Sequence, residues 1–424
     1  MIKIFKSFKY RIARLLIYFG YILNSSSIVY FGFNLLVYYL GNGKETILVF
    51  AKDEFHFDLK ILSQNTNKYN FIIIEVGHFK RLQNFYLKKV TPDVDEYFTE
   101  KYRKDVTRYT NMLKLIILKL RKNYNFSKLI TCNFVYSALR PLPNICKENK
   151  IYFVIIYKEG LILTLNDKQI TDYKAYFKKY IYGSSLIECD KLLVTNNYIK
   201  NTLTKVSNNK FTDENLIVCG LPRFDNLRNL KKNEKNFIAI FELDPINSCY
   251  KFDSRNFKFE KNFIDEQIEL TKFYYDEIYK FIKNRPYEKF IFKTKKTIKI
   301  SKLKNYFINK LRLNNIDNVD FPNSNSIDII KNSKIIISLP STVVIEAIYL
   351  NTKVLTPDYS KLFNHDKWTF FNNFHNLNFL FSRYEDLDYA LNNKINFYNK
   401  DIFLKKYTNY DESEDFCSKI LSEI

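Results

Sequence analysis

KIIISLPSTVVIEAIYLNTKVLTPDY, Lys334 to Tyr359, is the stretch that decides the fold. Ile335, Ile336 and Ile337 form an apolar β-branched run, as in a strand covered on both faces. Leu339-Pro340 stops it, because proline has no amide hydrogen for the ladder. Ser341 stands at the N-cap position ahead of a helical stretch from Thr342 to Leu350. Asn351 suits the left-handed position after a helix that usually goes to glycine. Val354 to Thr356 reads as the next strand, closed by Pro357.

The turn between strand and helix carries the chemistry. A helix N-terminus at the carboxyl edge of a parallel sheet presents unpaired amides and the positive end of a dipole, which suits a phosphate. Ser338, Ser341 and Thr342 add hydroxyls there. Glu346 lies four residues after Thr342 on the same helical face, within reach of a sugar hydroxyl on whatever carries the phosphate. The same residues also fit a plain capped helix with a half-buried glutamate.

Outward from this unit, strands alternate with helices along the chain. Glu45–Ala51, Phe71–Val76, Leu129–Cys132, Ile151–Tyr157, Leu192–Thr195 and Leu216–Cys219 read as strands of a first half. Helical spacing runs through Phe55, Leu59 and Leu62. A long helix is expected from about Asp93 to Lys122, with Met112, Leu113, Ile116, Ile117 and Leu120 on its apolar side. After a charged connector, Asn229–Asn236, the pattern restarts. Phe237–Phe241, Lys289–Phe292 and Val319–Phe321 read as strands, and Phe263–Lys283, Leu303–Leu313 and Asp386–Leu391 as helices. Such alternation predicts parallel sheets with crossover helices. The expected organisation is a basic and apolar helical segment at 1–43, a Rossmann-like domain at 44–232 and a second at 236–395. A C-terminal helix at 396–424 is expected to pack back on the first domain. At 424 residues the chain is long enough for two full cores, with a ligand cleft expected between them.

The formal charge of +22 implies an anionic partner. Lysine is spread over the whole chain, with no compact arginine-rich run or zinc-finger spacing, so nucleic acid is not favoured. The six cysteines (132, 146, 189, 219, 249 and 417) form no CxxC pair, and the four histidines (56, 78, 365 and 375) no ligand-spaced pair. A reducing compartment with no disulfide framework and no metal site follows. Lys3, Lys6, Lys9, Arg11 and Arg14 precede a charge-free stretch from Leu15 to Gly43. Asn24 to Ser27 interrupt it, and a spanning helix needs ~20 predominantly apolar residues. Two helices lying on an anionic inner leaflet, or packed on the edge of the domain, fit this pattern.

Several strand ends add candidate residues. Gly220-Leu221-Pro222-Arg223-Phe224-Asp225 follows LIVCG; the turn aims Arg223 into the expected cleft, with Asp225 bonding the turn or orienting the arginine. A rigid interdomain turn with a surface ion pair is the plainer reading. Lys158-Glu159-Gly160 ends a strand, and Glu159 there is a candidate general base or an uninvolved loop residue. Lys293 ends another strand and can meet a diphosphate, or belong to a solvated basic loop with Lys295 and Lys296. His365-Asp366 is a possible ligand contact or a surface pair.

CGLPRFDNL, a strand ending in lysine and SLPSTVVIEAIYLNTKVLTPDY together resemble the GT-B glycosyltransferases. The likeness is greatest to bacterial surface-polysaccharide enzymes, including CDP-glycerol glycerophosphotransferase-like, capsule and lipopolysaccharide groups. It covers about residues 126 to 360. In that family a G-x-P-R-x-D turn closes the acceptor domain; Gly220, Pro222, Arg223 and Asp225 match it. A Ser/Thr-rich turn opening a helix with an acidic residue holds the donor nucleotide; Ser338, Ser341, Thr342, Glu346 and Ala347 match that, with Val354-Leu355 as the following strand. IIYKEG resembles a strand-plus-KEG segment of some of these proteins. Asn351-Thr352-Lys353 stands where Gly-Lys-Pro is usual. The His-Gly pair of the glycerophosphotransferases is absent from the first half, which counts against polyol-phosphate transfer.

The resemblance implies two Rossmann-like domains facing across a cleft. It implies a metal-independent glycosyltransferase, without cofactor, using a nucleotide-sugar donor and a glycan or lipid-linked acceptor. Donor phosphates are expected on Ser338, Ser341 and Thr342, with Glu346 on the ribose or sugar. Lys293 and Arg223 would offset charge on the leaving nucleotide, and Glu159 would be the base. The expected location is the cytoplasmic face of the inner membrane. A sugar-nucleotide 2-epimerase-like isomerase, or a polyol-phosphate transferase, on the same fold is the alternative; the isomerase would need more paired acid and base groups.

Overall fold

The computed structural model describes residues 2–52, 55–88, 100–133, 136–158, 189–207, 211–228, 230, 236–243, 261–294, 302–339, 341–358, 379–393, 400–409 and 415–424. These divide into two compact units. The first holds everything described up to residue 158, together with 189–225 and 415–424; the second holds the described part of 226–409.

In the first unit α1 (Ile2–Ile22) and α2 (Ser26–Leu36) precede the short strand β1 (Tyr38–Leu40). There follow β2 (Glu45–Ala51), α3 (His56–Gln64), β3 (Tyr69–Glu75), α4 (Val76–Leu87) and α5 (Glu100–Tyr124). Next come β4 (Lys128–Thr131), α6 (Leu142–Glu148), β5 (Tyr152–Tyr157), β6 (Lys191–Val194), α7 (Asn197–Val206), β7 (Leu216–Val218) and α8 (Pro222–Arg228). The seven strands order as β1-β3-β2-β4-β5-β6-β7. Every pairing is parallel except β1 with β3, an antiparallel edge. From Leu48 to Ala51 β2 is wholly buried, as a central parallel strand must be.

One face of this sheet packs on α3 through Phe55, Leu59 and Leu62, and is completed by Cys417, Ile420 and Ile424 of the C-terminal helix. On the other face Phe79 of α4 stacks between Phe50 of β2, at 4.3 Å, and Phe33 of α2, at 4.6 Å. The apolar side of α5 is the expected one: Met112, Leu113, Ile116, Ile117 and Leu120 are all buried. The N-terminal helices belong to this unit as well. Α1 packs on α2 and α4, and α2 packs on α5. Glycines let the hairpin close tightly: a Cβ on Gly20 would lie 2.5 Å from the Val29 side chain, and one on Gly32 2.8 Å from the Ala13 carbonyl.

The second unit contains β8 (Phe237–Phe241), α9 (Lys261–Lys283), β9 (Phe290–Lys293), α10 (Lys302–Leu313), β10 (Val319–Asp320) and α11 (Ser326–Lys331). It continues with β11 (Ser333–Ile337), α12 (Thr342–Tyr349), β12 (Lys353–Pro357), β13 (Phe379–Phe381), α13 (Tyr384–Asn392) and α14 (Lys400–Thr408). Its six strands are all parallel, in the order β10-β9-β8-β11-β12-β13. Chain order runs outward in both directions from β8 and β11, the doubly wound arrangement. Ile238, Ile240, Phe290, Phe292, Ile335, Ile337 and Leu355 form one core layer with α9, α10 and α13. Α12 stands outside that layer, packed against α11, α14 and β12.

The stretch 396–424, expected as one element docking on the first domain, is divided. Α14 lies on α12 in the second unit, where the Tyr349 and Thr408 hydroxyls bond at 2.9 Å. Only α15 (Phe416–Glu423) joins the first. Few glycines are available to end helices, and among the described residues the non-glycine positions with positive φ are five asparagines and two lysines. Asn351 is one, at φ 51°, after α12. Asparagine tolerates that conformation better than other side chains.

Candidate functional site

In an open parallel sheet, ligands bind outside the carboxyl ends of the strands where the winding reverses. In the second unit that point lies between β8 and β11. Register shows which side chains meet there. Phe241 pairs with Lys293, Ala239 with Ile336 and Ile337 with Leu355. Side chains alternate along a strand, so Lys293, Ile336, Ser338 and Thr356 project from the face opposite the α9–α10–α13 core. Β9 and β11 are two strand spacings apart, about 10 Å, comparable with the length of a nucleoside diphosphate's phosphate arm.

Ser341 is extended, at φ −163° and ψ 179°, and occupies the N-cap position of α12. Its hydroxyl does not cap the helix, although the Val344 amide reaches its carbonyl at 3.0 Å. The first amides of the helix therefore keep their outward donors, and Ser341 and Thr342 are half-buried beside them. From Val344 to Tyr349 the helix is buried all round, including Glu346 at 4% exposure. The opposite end is neutralised by Lys400, whose Nζ donates to the Tyr349 carbonyl at 3.1 Å.

Ser338 has a different part from the one expected. Its amide donates to the Leu355 carbonyl at 3.0 Å and its hydroxyl to the Leu339 carbonyl at 2.9 Å. Its proton is committed to the turn, so it shapes the cradle and can only accept from a ligand. Lys293 is buried, 8% exposed, and its Nζ donates to the Ser324 carbonyl at 2.6 Å. It is a placed cation, and no part of a solvated loop. A buried ammonium is expensive without anionic or carbonyl partners.

Two polar residues at this edge escaped the sequence reading. Thr356 is 1% exposed, and its Oγ1 has no hydrogen-bond partner among the described residues. Glu242 directly follows β8, buried at 6%, and its amide donates to the Lys293 carbonyl at 2.9 Å. The available signal was position: each follows an apolar strand at its carboxyl end, where buried polar side chains gather at ligand sites.

The first unit corrects the reading of the Gly220–Asp225 turn. Arg223 is clamped by Asp58 of α3, Nε to Oδ1 at 2.8 Å and Nη2 to Oδ2 at 2.6 Å. Asp58 is fully buried. Asp225 does not orient the arginine: it accepts the amides of Phe416 at 3.1 Å and Cys417 at 2.7 Å, holding the start of α15. Gly220 has φ +73°, and a Cβ there would lie 2.2 Å from the Phe416 ring. The turn is a fastener for α15 and α3, because a sharp left-handed bend is what lets Phe416 lie against it.

Asp225, Asp415 and Cys417 bring donor atoms within 4.8 Å of one another. Both Asp225 oxygens already accept amides, and the Asp415 oxygens accept the Cys417 amide and the Ser418 hydroxyl. Burial, and then a hydrogen bond with Asp415, push Asp225 up to about 6. Burial raises the Cys417 thiol above its ordinary value, so it stays neutral. This is helix-capping chemistry.

Glu159, His365, Asp366, Lys295 and Lys296 lie outside the described residues. The structure thus brings Lys293, Ser338, Ser341, Thr342 and Glu346 to one sheet edge and places Arg223 in an ion pair of the other unit.

No protein-family model matches the chain, and no curated protein matches it. Solved structures do. The UDP-GlcNAc 2-epimerase of Methanocaldococcus jannaschii aligns over 89% of this chain and 99% of its own at 13% identity, with a TM-score of 0.51. An α,α-trehalose-phosphate synthase (UDP-forming) from Burkholderia vietnamiensis covers 90% and 99% at 8% identity, TM-score 0.49. A glycosyltransferase from Rickettsia africae covers 90% and 97% at 14%, TM-score 0.45. With its two Rossmann-like sheets of seven and six strands, the chain has the GT-B fold.

Proposed function

We propose that the chain is a nucleotide-sugar enzyme that holds the donor diphosphate at the start of α12. One observation carries this reading. At the winding reversal of the second sheet, a helix start without a side-chain cap lies on the sheet face that also bears the buried Lys293 ammonium and the Thr356 hydroxyl, which has no partner among the described residues. Amides and ammonium supply fixed positive potential for a diphosphate before and after its bond to the sugar breaks. Glu346, one turn into the helix, accepts from a ribose or sugar hydroxyl. Arg223 is spent on Asp58, and Lys293 is a cation among the described residues of this edge that offsets charge on the leaving nucleotide.

Two reactions suit such a site. The likeness to a UDP-GlcNAc 2-epimerase over most of both chains supports an isomerase in which loss of the C2 proton forms a C1=C2 double bond as the nucleoside diphosphate leaves C1, and re-addition of the diphosphate at C1 returns a proton to the other face of C2. The G-x-P-R-x-D and Ser/Thr-turn resemblance supports transfer of the sugar to a surface-glycan or lipid-linked acceptor, with Glu159 as base. The isomerase reading is at least as well supported. Neither route calls on a resident metal or cofactor.

Incubating the protein with UDP-, CDP-, GDP- and CMP-linked sugars, with no acceptor, separates the two by NMR. Conversion to a C2 epimer, or deuterium entering C2 from heavy water, establishes the isomerase. An inert donor that is consumed only once a glycan acceptor is added establishes the transferase. Failure of every donor to raise the melting temperature overturns both.

A further inference from the structure

The clearest unassigned surface is the outer face of α1. No aspartate or glutamate occurs before Glu45, while Lys3, Lys6, Lys9, Arg11, Arg14 and Lys44 do. Α1 buries Ala13, Ile17 and Gly20 against its own domain. On the opposite side Phe8, Leu15, Phe19 and Ile22 are 51 to 61% exposed. Their spacing of seven, four and three residues puts them on one stripe. Exposed Arg11 and Arg14 border that stripe. Tyr18 of the same helix and Leu23 directly after it are exposed as well.

We infer that this face seats the chain on an anionic lipid bilayer. The stripe enters the boundary of headgroups and acyl chains, the arginines meet lipid phosphates, and Tyr18 takes the interfacial level its mixed polarity prefers. Three observations select this occupant. The charges that α1 itself carries are all positive, a border that repels a second copy of itself but is attracted to anionic lipid. The close approaches at Gly20 and Gly32 lock α1 onto α2, and the pair packs on α4 and α5, so the stripe is presented as a rigid surface with little ordering cost. Among the described residues no helix is long and apolar enough to cross a membrane, so α1 lies on the bilayer and does not span it. The inference stands apart from the choice between isomerase and transferase.

Flotation of the full chain with vesicles tests it, comparing phosphatidylcholine alone with equal parts phosphatidylcholine and phosphatidylglycerol. Binding to the mixed vesicles is expected, weakening steeply with salt. Leu15→Glu with Phe19→Glu is expected to reduce partitioning at least about a hundredfold. Arg11→Gln with Arg14→Gln is expected to reduce it about thirtyfold on anionic vesicles. Nucleotide-sugar thermal shifts and the melting temperature should stay as in the parent, because all four positions are exposed. The proposal is overturned by equal partitioning of the parent and the Leu15/Phe19 variant, or by no vesicle binding at all. It is equally overturned by light scattering that shows a parent dimer which the same variant dissociates.

Discussion

Asp58 and Arg223 stand 165 positions apart in the chain and meet through two parallel hydrogen bonds, with Asp58 fully buried. A bidentate guanidinium–carboxylate pair is the strongest form of this contact. Removing one partner leaves a buried charge without compensation. Arg223→Ala should therefore cost about 3–5 kcal/mol of unfolding free energy. Arg223→Lys should recover only part of it, because an ammonium cannot make the fork. The double variant with Asp58→Ala should cost less than the two single losses summed. Urea unfolding of the parent, the three single variants and the double variant checks this; additive losses would mean that the pair contributes nothing as a pair.

Gly220 should be irreplaceable for two separable reasons. Alanine at φ +73° is strained by about 1–2 kcal/mol, and its methyl would also strike the Phe416 ring. Introduced into a Phe416→Ala background, Gly220→Ala should cost only the backbone part. A thermodynamic cycle from urea melts measures the difference.

Docking of α15 should depend on pH through Asp225. Its carboxyl is held up to about 6, from 3.8, by burial and by the bond with Asp415. A group raised in the folded state stabilises fully below its unfolded value and loses that contribution as pH rises through the folded one. Asp415 is shifted the other way, first by its bond with Asp225, so its contribution disappears only as pH falls below the ordinary carboxylate range. The melting temperature of the parent relative to Asp225→Asn should therefore decline between about pH 4 and 7. A constant difference across that window would sink this reading.

At the α12 cradle, Lys293→Met should weaken nucleotide-sugar binding by about ten- to a hundredfold, the usual range for a charge-assisted contact. Thr356→Val behaves differently if its hydroxyl waits for a ligand. The free protein should be no less stable, since a buried hydroxyl without a partner stabilises nothing, while the ligand-induced rise in melting temperature should shrink. Both are read from one thermal-shift titration. Chelation with EDTA should leave turnover unchanged.

Most of the architecture was legible because apolar runs mark buried parallel strands so clearly. Glu45–Ala51 and Phe237–Phe241 match the structure residue for residue. Even the left-handed Asn351 could be read from its place after a helix. Α4 could not. It begins directly after β3, its N-cap Glu75 makes no side-chain cap, and Lys88 closes it where glycine is usual. Β1 hid inside a charge-free stretch that reads as helix, being only three residues long. At the site, the helix start and Lys293 were readable as ends of strands. The Asp58–Arg223 clamp was not, because a contact 165 positions apart leaves no local pattern. Thr356 was marked only by its place at the end of an apolar strand; that its hydroxyl lacks a partner among the described residues is something only packing reveals.

The place of α15 has a consequence for biosynthesis. Cys417, Ile420 and Ile424 finish the same apolar layer that Ile47 and Val49 begin. A ribosome must therefore release the whole of the second unit before the earliest strands receive their final cover. Until then that face of the nascent sheet has, among the described residues, only α3 to cover it, and the half made first is the half that finishes folding last.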